Sequence, residues 1–168
     1  MLDNINKLSV FFEDCYKEFG VRQYAKINKI SPPAASNFLK VCAKEGLLNM
    51  RKDRGYLLFK TNRESIEMRD LSRIYWNREL KIVKEKIDAE CHPKAIILFG
   101  SLSKLEAKNE SDIDIALMSA VNKVPDLKAE IEKLKREIHI FSFDSLSSAP
   151  KKLRSNLVNG YRIYGEIE

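Results

Sequence analysis

A chain of 168 residues that is 44% hydrophobic and 32% charged has the composition of one or two folded domains, not of a disordered or fibrous protein. It holds no apolar run near the roughly 20 residues that cross a membrane, and MLDNINK lacks the features of a secretory signal. We therefore expect a cytoplasmic protein without a membrane partner. Cys15, Cys42 and Cys91 are too widely spaced to indicate a disulfide framework or a zinc finger.

The positive charge is concentrated at the start of the chain. The formal net charge is +6, and residues 1–60 contain 11 Lys and Arg against 6 Asp and Glu. Residues 61–90 contain 7 Lys and Arg and 7 Asp and Glu, and residues 91–168 contain 12 and 11. A basic excess gathered in one segment is the electrostatic footprint of a polyanion contact.

The first 45 residues carry the patterns of three helices. Apolar residues at helical spacing predict a first helix that ends at Gly20, a residue type common at helix ends. A second short helix is predicted over 22–29. Ser31 is a good N-cap and Pro32 suits the first helical position, so a third helix is predicted from there to Glu45.

The third helix and the segment that follows it carry polar surfaces. The helix has one apolar face, and its outward face is formed by Ser36, Asn37 and Lys40. After Gly46, the stretch LLNMRKDRGYLLFKTN alternates apolar residues around a basic turn over 51–55. This alternation predicts a β-hairpin with a charged tip.

Three helices followed by such a hairpin resemble the winged helix-turn-helix, with ISPPAASNFLKVCAKEGLL as its recognition helix. The resemblance implies binding to double-stranded DNA, with the helix in the major groove and the wing at the phosphates. The expected DNA-binding residues are Ser36, Asn37, Lys40, Arg51, Lys52 and Arg54. A small helical adaptor that contacts only protein is the alternative. The aromatic residues stand at core spacings, which favours duplex DNA over single-stranded RNA.

A charged helical stretch without proline or glycine, residues 63–90, predicts a stiff connector. It would separate a winged helix-turn-helix domain over 1–62 from a C-terminal domain over 91–168. Winged helix proteins often bind two half-sites as dimers, which leaves a homodimer as one option.

Residues 96–118, IILFGSLSKLEAKNESDIDIALM, carry the strongest functional pattern. An apolar run ends at Gly100-Ser101, and Asp112 and Asp114 stand in a second apolar run. On a strand, alternate side chains share a face about 7 Å apart, and two such carboxylates can share a divalent cation. Small residues at a turn let the backbone approach a phosphate closely. The stretch predicts a metal and nucleotide site.

This spacing resembles that of the minimal nucleotidyltransferases of the DNA polymerase β-like superfamily. Their pattern is an apolar strand, Gly-Ser, a spacer of about ten residues (here 102–111) and Asp-x-Asp. The resemblance continues through a predicted helix over 126–136, the strand EIHIFSF and the closing LRSNLVNGYRIYG. It implies a mixed β-sheet flanked by helices, and transfer of a nucleoside monophosphate from an NTP, ATP being the first choice, to an acceptor hydroxyl with Mg²⁺ or Mn²⁺. Antitoxin-type members of the family imply a protein acceptor or toxin-like partner.

One position departs from the family pattern. In the family, Asp-x-Asp carries the nucleotide-bound metal, and a third carboxylate helps to hold the catalytic metal and deprotonate the attacking hydroxyl. The residue that corresponds to this carboxylate is His139. Imidazole suits zinc, copper, iron or nickel more than magnesium, so we expect slow transfer or another preferred metal. Glu137, on the same face, is an alternative third carboxylate, and Asp144, of opposite parity, is a weaker one.

The sequence thus predicts an α+β protein with a winged helix-turn-helix, a helical connector and a nucleotidyltransferase fold. The expected catalytic residues are Asp112, Asp114 and His139, the first two of which would bind the metal. The expected nucleotide-binding residues are Gly100, Ser101 and Lys104, with Lys104 preferred over Lys108. The alternative function is a DNA-binding transcriptional regulator whose C-terminal domain senses nucleotide without turnover.

Overall fold

A computed structural model describes residues 2–119 and 124–167. These residues form two compact units, one of residues 2–72 with 105–109 and the other of 73–104 with 110–119 and 124–167. The domain limits drawn from the sequence, at 62 and 90, remain predictions. Within the described ranges, no helix has both the length and the apolar character that a membrane crossing requires.

In the first unit, the described residues before 45 form three helices, and a small antiparallel sheet completes this part of the chain. Its elements are α1 (Leu2–Glu13), β1 (Phe19–Gly20), α2 (Val21–Asn28), α3 (Pro32–Lys44), β2 (Leu48–Asp53) and β3 (Tyr56–Thr61). Among the described residues the sheet has the strand order β1-β3-β2. This order and these helices are compatible with the predicted winged helix-turn-helix, which stays a prediction.

The predicted end of the first helix at Gly20 is wrong. α1 ends at Glu13, where Asp14 Oδ1 accepts the backbone N–H groups of Tyr16 and Lys17 at 3.0 and 3.1 Å and closes a turn. Gly20 lies in β1 with an extended backbone and is the N-cap of α2. Pairing of β1 with β3 is a contact between distant parts of the chain, and it overrides the helical spacing of the local sequence.

The third helix begins as predicted. Ser31 Oγ accepts the N–H of Ala34 at 3.4 Å, and Pro32 occupies the first helical position. The helix ends at Lys44, one residue before the predicted end. Its buried residues are Ala35, Leu39 and Cys42, as expected.

The hairpin of β2 and β3 turns at Arg54-Gly55. Both residues have positive φ, 46° and 87°, the conformation that two-residue hairpin turns require. The six paired positions from Leu48↔Thr61 to Asp53↔Tyr56 keep the register unbroken. The predicted hairpin is therefore confirmed, with its basic tip exposed to solvent.

The predicted helical connector consists of two helices, α4 (Ile66–Glu79) and α5 (Lys81–Cys91). Leu80, which is fully buried, separates them. The division between the two compact units falls inside α4, after Ser72.

The second unit is built on a mixed sheet. After α5 its elements are β4 (Ala95–Phe99), α6 (Gly100–Lys104), β5 (Ile113–Met118), α7 (Lys128–Leu134), β6 (Ile138–Phe143), a 3-10 turn (Leu146–Ser148), α8 (Lys151–Val158) and β7 (Tyr161–Gly165). The strand order over the described residues is β6-β5-β4-β7. β5 and β6 are parallel, and the other two pairs are antiparallel. The predicted mixed α+β architecture is confirmed.

The helix predicted over 126–136 is shorter in the structure. α7 ends at Leu134 because Lys135 adopts a left-handed backbone with φ 54°. Arg136 therefore lies outside the helix, and its side chain is buried in the unit.

The strand order brings three segments to one end of this sheet. β4 and β5 are antiparallel with Phe99 opposite Asp114, so the end of β4 meets the start of β5. β6 is parallel to β5, with His139 opposite Asp114, so it starts at the same end. Every residue of β4 is buried, which fixes the two central strands in the core.

Candidate active site

The turn after β4 is shaped by a glycine. Gly100 has φ +72°, a conformation that L side chains rarely adopt. A Cβ placed on Gly100 would overlap Oδ2 of Asp114 and lie 3.2 Å from its Cγ. The absence of a side chain therefore lets the Asp114 carboxylate lie directly against the backbone of the turn.

Gly100-Ser101, predicted as a turn, forms the start of the short helix α6. Ser101 is half-buried, and Ser103 is fully buried with its Oγ donating to the Gly100 carbonyl at 3.0 Å. This hydrogen bond fixes the peptide that follows the glycine. The two predicted phosphate-binding residues thus lie on a rigid segment beside Asp114.

The two aspartates and the histidine converge at one point. Asp112 comes just before β5 and Asp114 is its second residue. Only Asp114 therefore lies on the strand, although both residues were predicted there. Nδ1 of His139 lies 3.5 Å from Oδ1 of Asp114 and 3.9 Å from Oδ2 of Asp112. Half of the His139 side chain and nearly half of the Asp112 side chain are exposed, so solvent and ligands can reach them.

The environment of Asp114 disfavours the negative charge of its carboxylate. Burial raises the pKa of the Asp114 carboxyl, His139 nearby lowers it, and the charge of Asp112 raises it. The ionised Asp114 is therefore costly in the absence of a counter-charge. A divalent cation between Asp112 and Asp114 would supply that counter-charge.

The donor set fits a divalent cation that is shared with a substrate. Magnesium is usually held by one or two carboxylates together with water and substrate phosphates. Among the residues that the structure describes, no three His, Cys, Asp or Glu side chains are arranged to hold an ion by themselves. Asp112 and Asp114 would therefore hold the ion together with phosphate oxygens bound at the Gly100 turn.

Lys104 is the last residue of α6. Its half-buried side chain donates from Nζ to Oδ1 of Asn156 at 2.8 Å, which ties α6 to α8. The structure thus holds the amine within the unit, three residues after Ser101. Glu137 and Asp144, the alternative third carboxylates, are both exposed, and the Glu137 backbone carbonyl accepts the N–H of Ile113 at 2.8 Å.

A buried arginine that the sequence did not single out supports the acidic pair. Arg136 is 8% exposed, and its Nη1 donates to the carbonyl of Ser111 at 2.6 Å. Its guanidinium also lies 5.2 Å from the ring centroid of Trp76, which is buried. Arg136 therefore fixes the residue that precedes Asp112. No local pattern marks it, because an arginine after a helix is usually solvated.

A second arginine contacts the segment that contains the Gly100 turn. Arg73, in α4, donates from Nε to the carbonyl of Ser103 at 3.1 Å and from Nη2 to that of Asn159 at 3.5 Å. Its guanidinium lies 5.8 Å from the Tyr161 ring. Arg73 thus connects α4 with α6 and with the segment that leads into β7.

The residues expected to bind DNA lie in the first unit. On α3, Asn37 and Lys40 are exposed and Ser36 is half-buried. At the hairpin, Lys52 and Arg54 are exposed.

Arg51 differs from the other hairpin cations. It makes two hydrogen bonds to the carboxylate of Glu18, at 2.8 and 2.6 Å, and lies 3.7 Å from Asp53. The hydrogen bond from Arg51 lowers the pKa of Glu18, so that carboxylate stays ionised. The charge of Arg51 is consequently offset within the unit.

Comparison with known proteins gives one match. A family model described as "Polymerase beta, Nucleotidyltransferase" matches residues 77–168, which is more than half of the chain. The matched region contains Gly100, Ser101, the two aspartates and His139. No curated protein and no solved structure matches the chain significantly.

Proposed function

This chain belongs to the polymerase β nucleotidyltransferase family, and on that premise we propose that it transfers a nucleoside monophosphate from an NTP to an acceptor hydroxyl. The observation that carries the proposal is the convergence of Asp112, Asp114 and the Gly100 turn at one end of the sheet. ATP is the first substrate to test, with Mg²⁺ or Mn²⁺. A divalent cation would neutralise charge on the phosphates as they react.

The reaction forms a bond between the acceptor oxygen and the α-phosphorus and breaks the bond from that phosphorus to the β-phosphate, so pyrophosphate leaves. Asp112 and Asp114 would hold the cation, and the backbone at Gly100 and Ser101 would bind the phosphates. Lys104 adds positive charge near the same turn. These groups position the triphosphate, which is the main task of a phosphoryl-transfer site.

His139 is the proposed acceptor of the proton from the attacking hydroxyl. Half of its ring is exposed, and Nδ1 lies within 4 Å of both carboxylates. A neutral imidazole can take a proton, but it brings no negative charge to the site. We therefore propose that transfer is slower than with a carboxylate at this position, or that the site prefers Mn²⁺ or a metal with greater affinity for nitrogen.

The experiment is incubation of the full chain with labelled ATP and either Mg²⁺ or Mn²⁺. The readouts are pyrophosphate release and label on protein, first on the chain itself and then on candidate partner proteins. Asp112→Asn with Asp114→Asn should abolish both signals. Asp144→Asn removes one exposed carboxylate from the end of β6 and serves as a control that should keep full activity.

A second function is favoured by His139 at this position. The chain would then be a DNA-binding regulator whose C-terminal domain binds nucleotide without turnover. The regulator hypothesis predicts that the wild-type chain binds ATP but releases no pyrophosphate, and that the double aspartate variant does not bind ATP. The transferase hypothesis predicts that the wild-type chain releases pyrophosphate.

For the first unit we propose binding to double-stranded DNA. The support is the basic excess of this segment together with the exposed side chains on α3 and at the hairpin tip. Asn37 and Lys40 would contact the groove, and Lys52 and Arg54 the phosphates. A homodimer on two half-sites is part of this proposal, to be tested by the mass of the complex in solution. The competing proposal, an adaptor that contacts only protein, predicts no affinity for duplex DNA.

A further inference from the structure

Three cations converge on one tyrosine of the first unit. The Arg63 guanidinium lies 4.4 Å from the centroid of the Tyr16 ring, and the Nζ atoms of Lys108 and Lys60 lie 5.5 and 5.8 Å from it. We call these four residues the Tyr16 cluster. Its members come from the turn after α1, the end of β3, the segment after β3, and residues 105–109, which belong to the same compact unit.

Lys108 is held in this cluster by an anchored loop. The N–H of Cys15 donates to the carbonyl of Ala107 at 2.8 Å. Leu105 and Ala107 are buried, at 0 and 1% exposure. The backbone on the N-terminal side of Lys108 is therefore fixed next to the residue that precedes Tyr16, although Lys108 is far from it in sequence.

An aromatic ring positions a cation without cancelling its charge. The ring's quadrupole attracts an ammonium or guanidinium group, but the ring has no net charge to offset it. Arg51 shows the contrasting case, because the Glu18 carboxylate neutralises it. Among the described residues, no carboxylate forms an ion pair with Lys60 or Arg63.

Two acidic residues that flank Tyr16 in the sequence already have partners. Glu18, whose pKa is lowered chiefly by Arg51 and more weakly by Lys60, is held by Arg51 through two hydrogen bonds. The Asp14 carboxylate accepts two backbone N–H groups. Lys60 and Arg63 therefore keep positive charges that no carboxylate of the described residues pairs with, on a surface that solvent reaches.

We propose that the Tyr16 cluster binds the phosphate backbone of a nucleic acid. Tyr16 is 37% exposed, but Arg63 occupies the space over its ring, which leaves the cations and not the ring to make the contact. Base stacking would need a free ring face, so the contact is to phosphate.

This inference rests on the proposed nucleic-acid binding of the first unit and adds a contact outside α3 and the hairpin tip. Lys60 is next to the last residue of β3, and the Arg54-Gly55 turn precedes the first. At about 3.3 Å per residue, the cluster and the tip are separated by roughly 17 Å along the strand. A duplex that touched both would contact phosphates at two separate places.

The test compares two triple variants of the full chain. Lys60→Gln, Arg63→Gln and Lys108→Gln remove the three cluster charges. The control, Lys81→Gln, Lys133→Gln and Lys151→Gln, removes three charges from exposed lysines of the second unit. Both lower the formal net charge equally. Binding to a fluorescent duplex of mixed sequence is measured over a range of salt concentrations, and far-ultraviolet circular dichroism checks the fold.

The slope of log affinity against log salt changes by about 0.9 for each phosphate contact. The cluster variant should therefore have a slope shallower by about 2 to 3, and the control a slope close to wild type. Lys108→Glu, a single change at an exposed residue, should weaken binding at least tenfold and covers the case of a misfolded triple variant.

Equal slopes in the two triple variants would overturn the proposal. Inorganic triphosphate is also tested as a competitor. If the cluster variant loses affinity for triphosphate but keeps its affinity for the duplex, the proposal is likewise overturned. A wild-type chain that does not bind the duplex would instead refute nucleic-acid binding by the whole unit.

Discussion

His139 and Asp114 occupy paired positions on the parallel strands β5 and β6, with Nδ1 of the imidazole 3.5 Å from Oδ1 of the carboxylate. From the resemblance to the family pattern, we expect His139 to stand at the position of the third carboxylate. The pairing brings a neutral or positive group, not a negative one, next to the acidic pair. The rate and the metal preference of the site should both depend on this difference.

Replacement of His139 by aspartate should increase transfer. The change restores a negatively charged oxygen ligand, which magnesium prefers over nitrogen. We expect a pyrophosphate release rate at least tenfold higher with Mg²⁺ and a smaller gain with Mn²⁺. His139→Asn, which removes the base without adding charge, is the control and should reduce the rate. An unchanged or lower rate in His139→Asp would refute the proposed role of this position.

Gly100→Ala should disrupt the site through two separate effects. The positive φ of Gly100 costs an alanine about 1–2 kcal/mol, and the new methyl group would overlap the Asp114 carboxylate. Gly46→Ala is a matched control, because Gly46 has φ +75° but a Cβ there meets no atom within 4 Å. Thermal unfolding should show destabilisation in both variants, with the larger effect in Gly100→Ala because of the added overlap with Asp114. Only Gly100→Ala should lose nucleotide binding, and equal binding by the two variants would contradict the account.

Asp114→Asn should stabilise the fold while it removes cation binding. Because burial raises the pKa of Asp114, the folded state binds a proton more tightly than the unfolded state does. The free energy of unfolding of the wild-type chain should therefore decrease as the pH rises from below the ordinary aspartate pKa through the raised one. The asparagine variant lacks this decrease.

The stability advantage of Asp114→Asn over the wild type should thus be absent at low pH and largest at neutral pH. We expect the difference in the free energy of unfolding to stay below about 1 kcal/mol. Urea unfolding at several pH values measures it. Added Mn²⁺ should stabilise the wild-type chain and leave the variant unaffected. A variant that is less stable than wild type at neutral pH would contradict the cost assigned to the ionised carboxylate.

Arg136 is expected to position the acidic pair through the Ser111 carbonyl. Arg136→Met keeps most of the side-chain volume but removes the donor, which should destabilise the unit by about 1–3 kcal/mol and weaken Mn²⁺ binding about tenfold. Arg136→Lys should recover part of the affinity. Since Trp76 is the single tryptophan of the chain and lies beside Arg136, its fluorescence should report both changes. Wild-type Mn²⁺ affinity in a folded Arg136→Met variant would limit this residue to a structural role.

At the hairpin, the two arginines should contribute unequally to DNA binding. Glu18 neutralises Arg51, whereas Arg54 is exposed in the turn. Arg54→Gln should make the salt dependence shallower by about 0.9, the contribution of one phosphate contact, and Arg51→Gln by much less. Fluorescence anisotropy with a labelled duplex measures both slopes. A larger effect of Arg51→Gln would show that this arginine exchanges Glu18 for phosphate on binding.

The features that were predictable from sequence are those encoded locally. Ser31-Pro32 marked the start of α3, and the alternation around 51–55 marked the hairpin. The apolar run before Gly100 and the spacing to Asp114 placed the two central strands of the second sheet. Each of these patterns involves neighbours in the chain, so the sequence displays it directly.

The features that were missed depend on distant contacts. Gly20 was expected to end a helix, but β1 pairs with β3, some forty residues later. Arg136 reaches Ser111 because the left-handed backbone of Lys135 ends the helix before it. The apolar spacing of the sequence does not reveal this helix end. The approach of Lys108 to Tyr16 likewise requires the fold of the whole first unit. Sequence periodicity carries no information on any of these.

The central claim, that the acidic pair and the Gly100 turn together bind a cation and a triphosphate, is tested most directly by equilibrium binding. A non-hydrolysable ATP analogue is titrated into the wild-type chain, the Asp112→Asn and Asp114→Asn double variant and the Asp144→Asn control, each with and without Mn²⁺. We predict that binding to the wild type and the control requires Mn²⁺ and that the double variant binds at least tenfold more weakly. Equal affinity in all three proteins, or binding that does not depend on Mn²⁺, would contradict the claim.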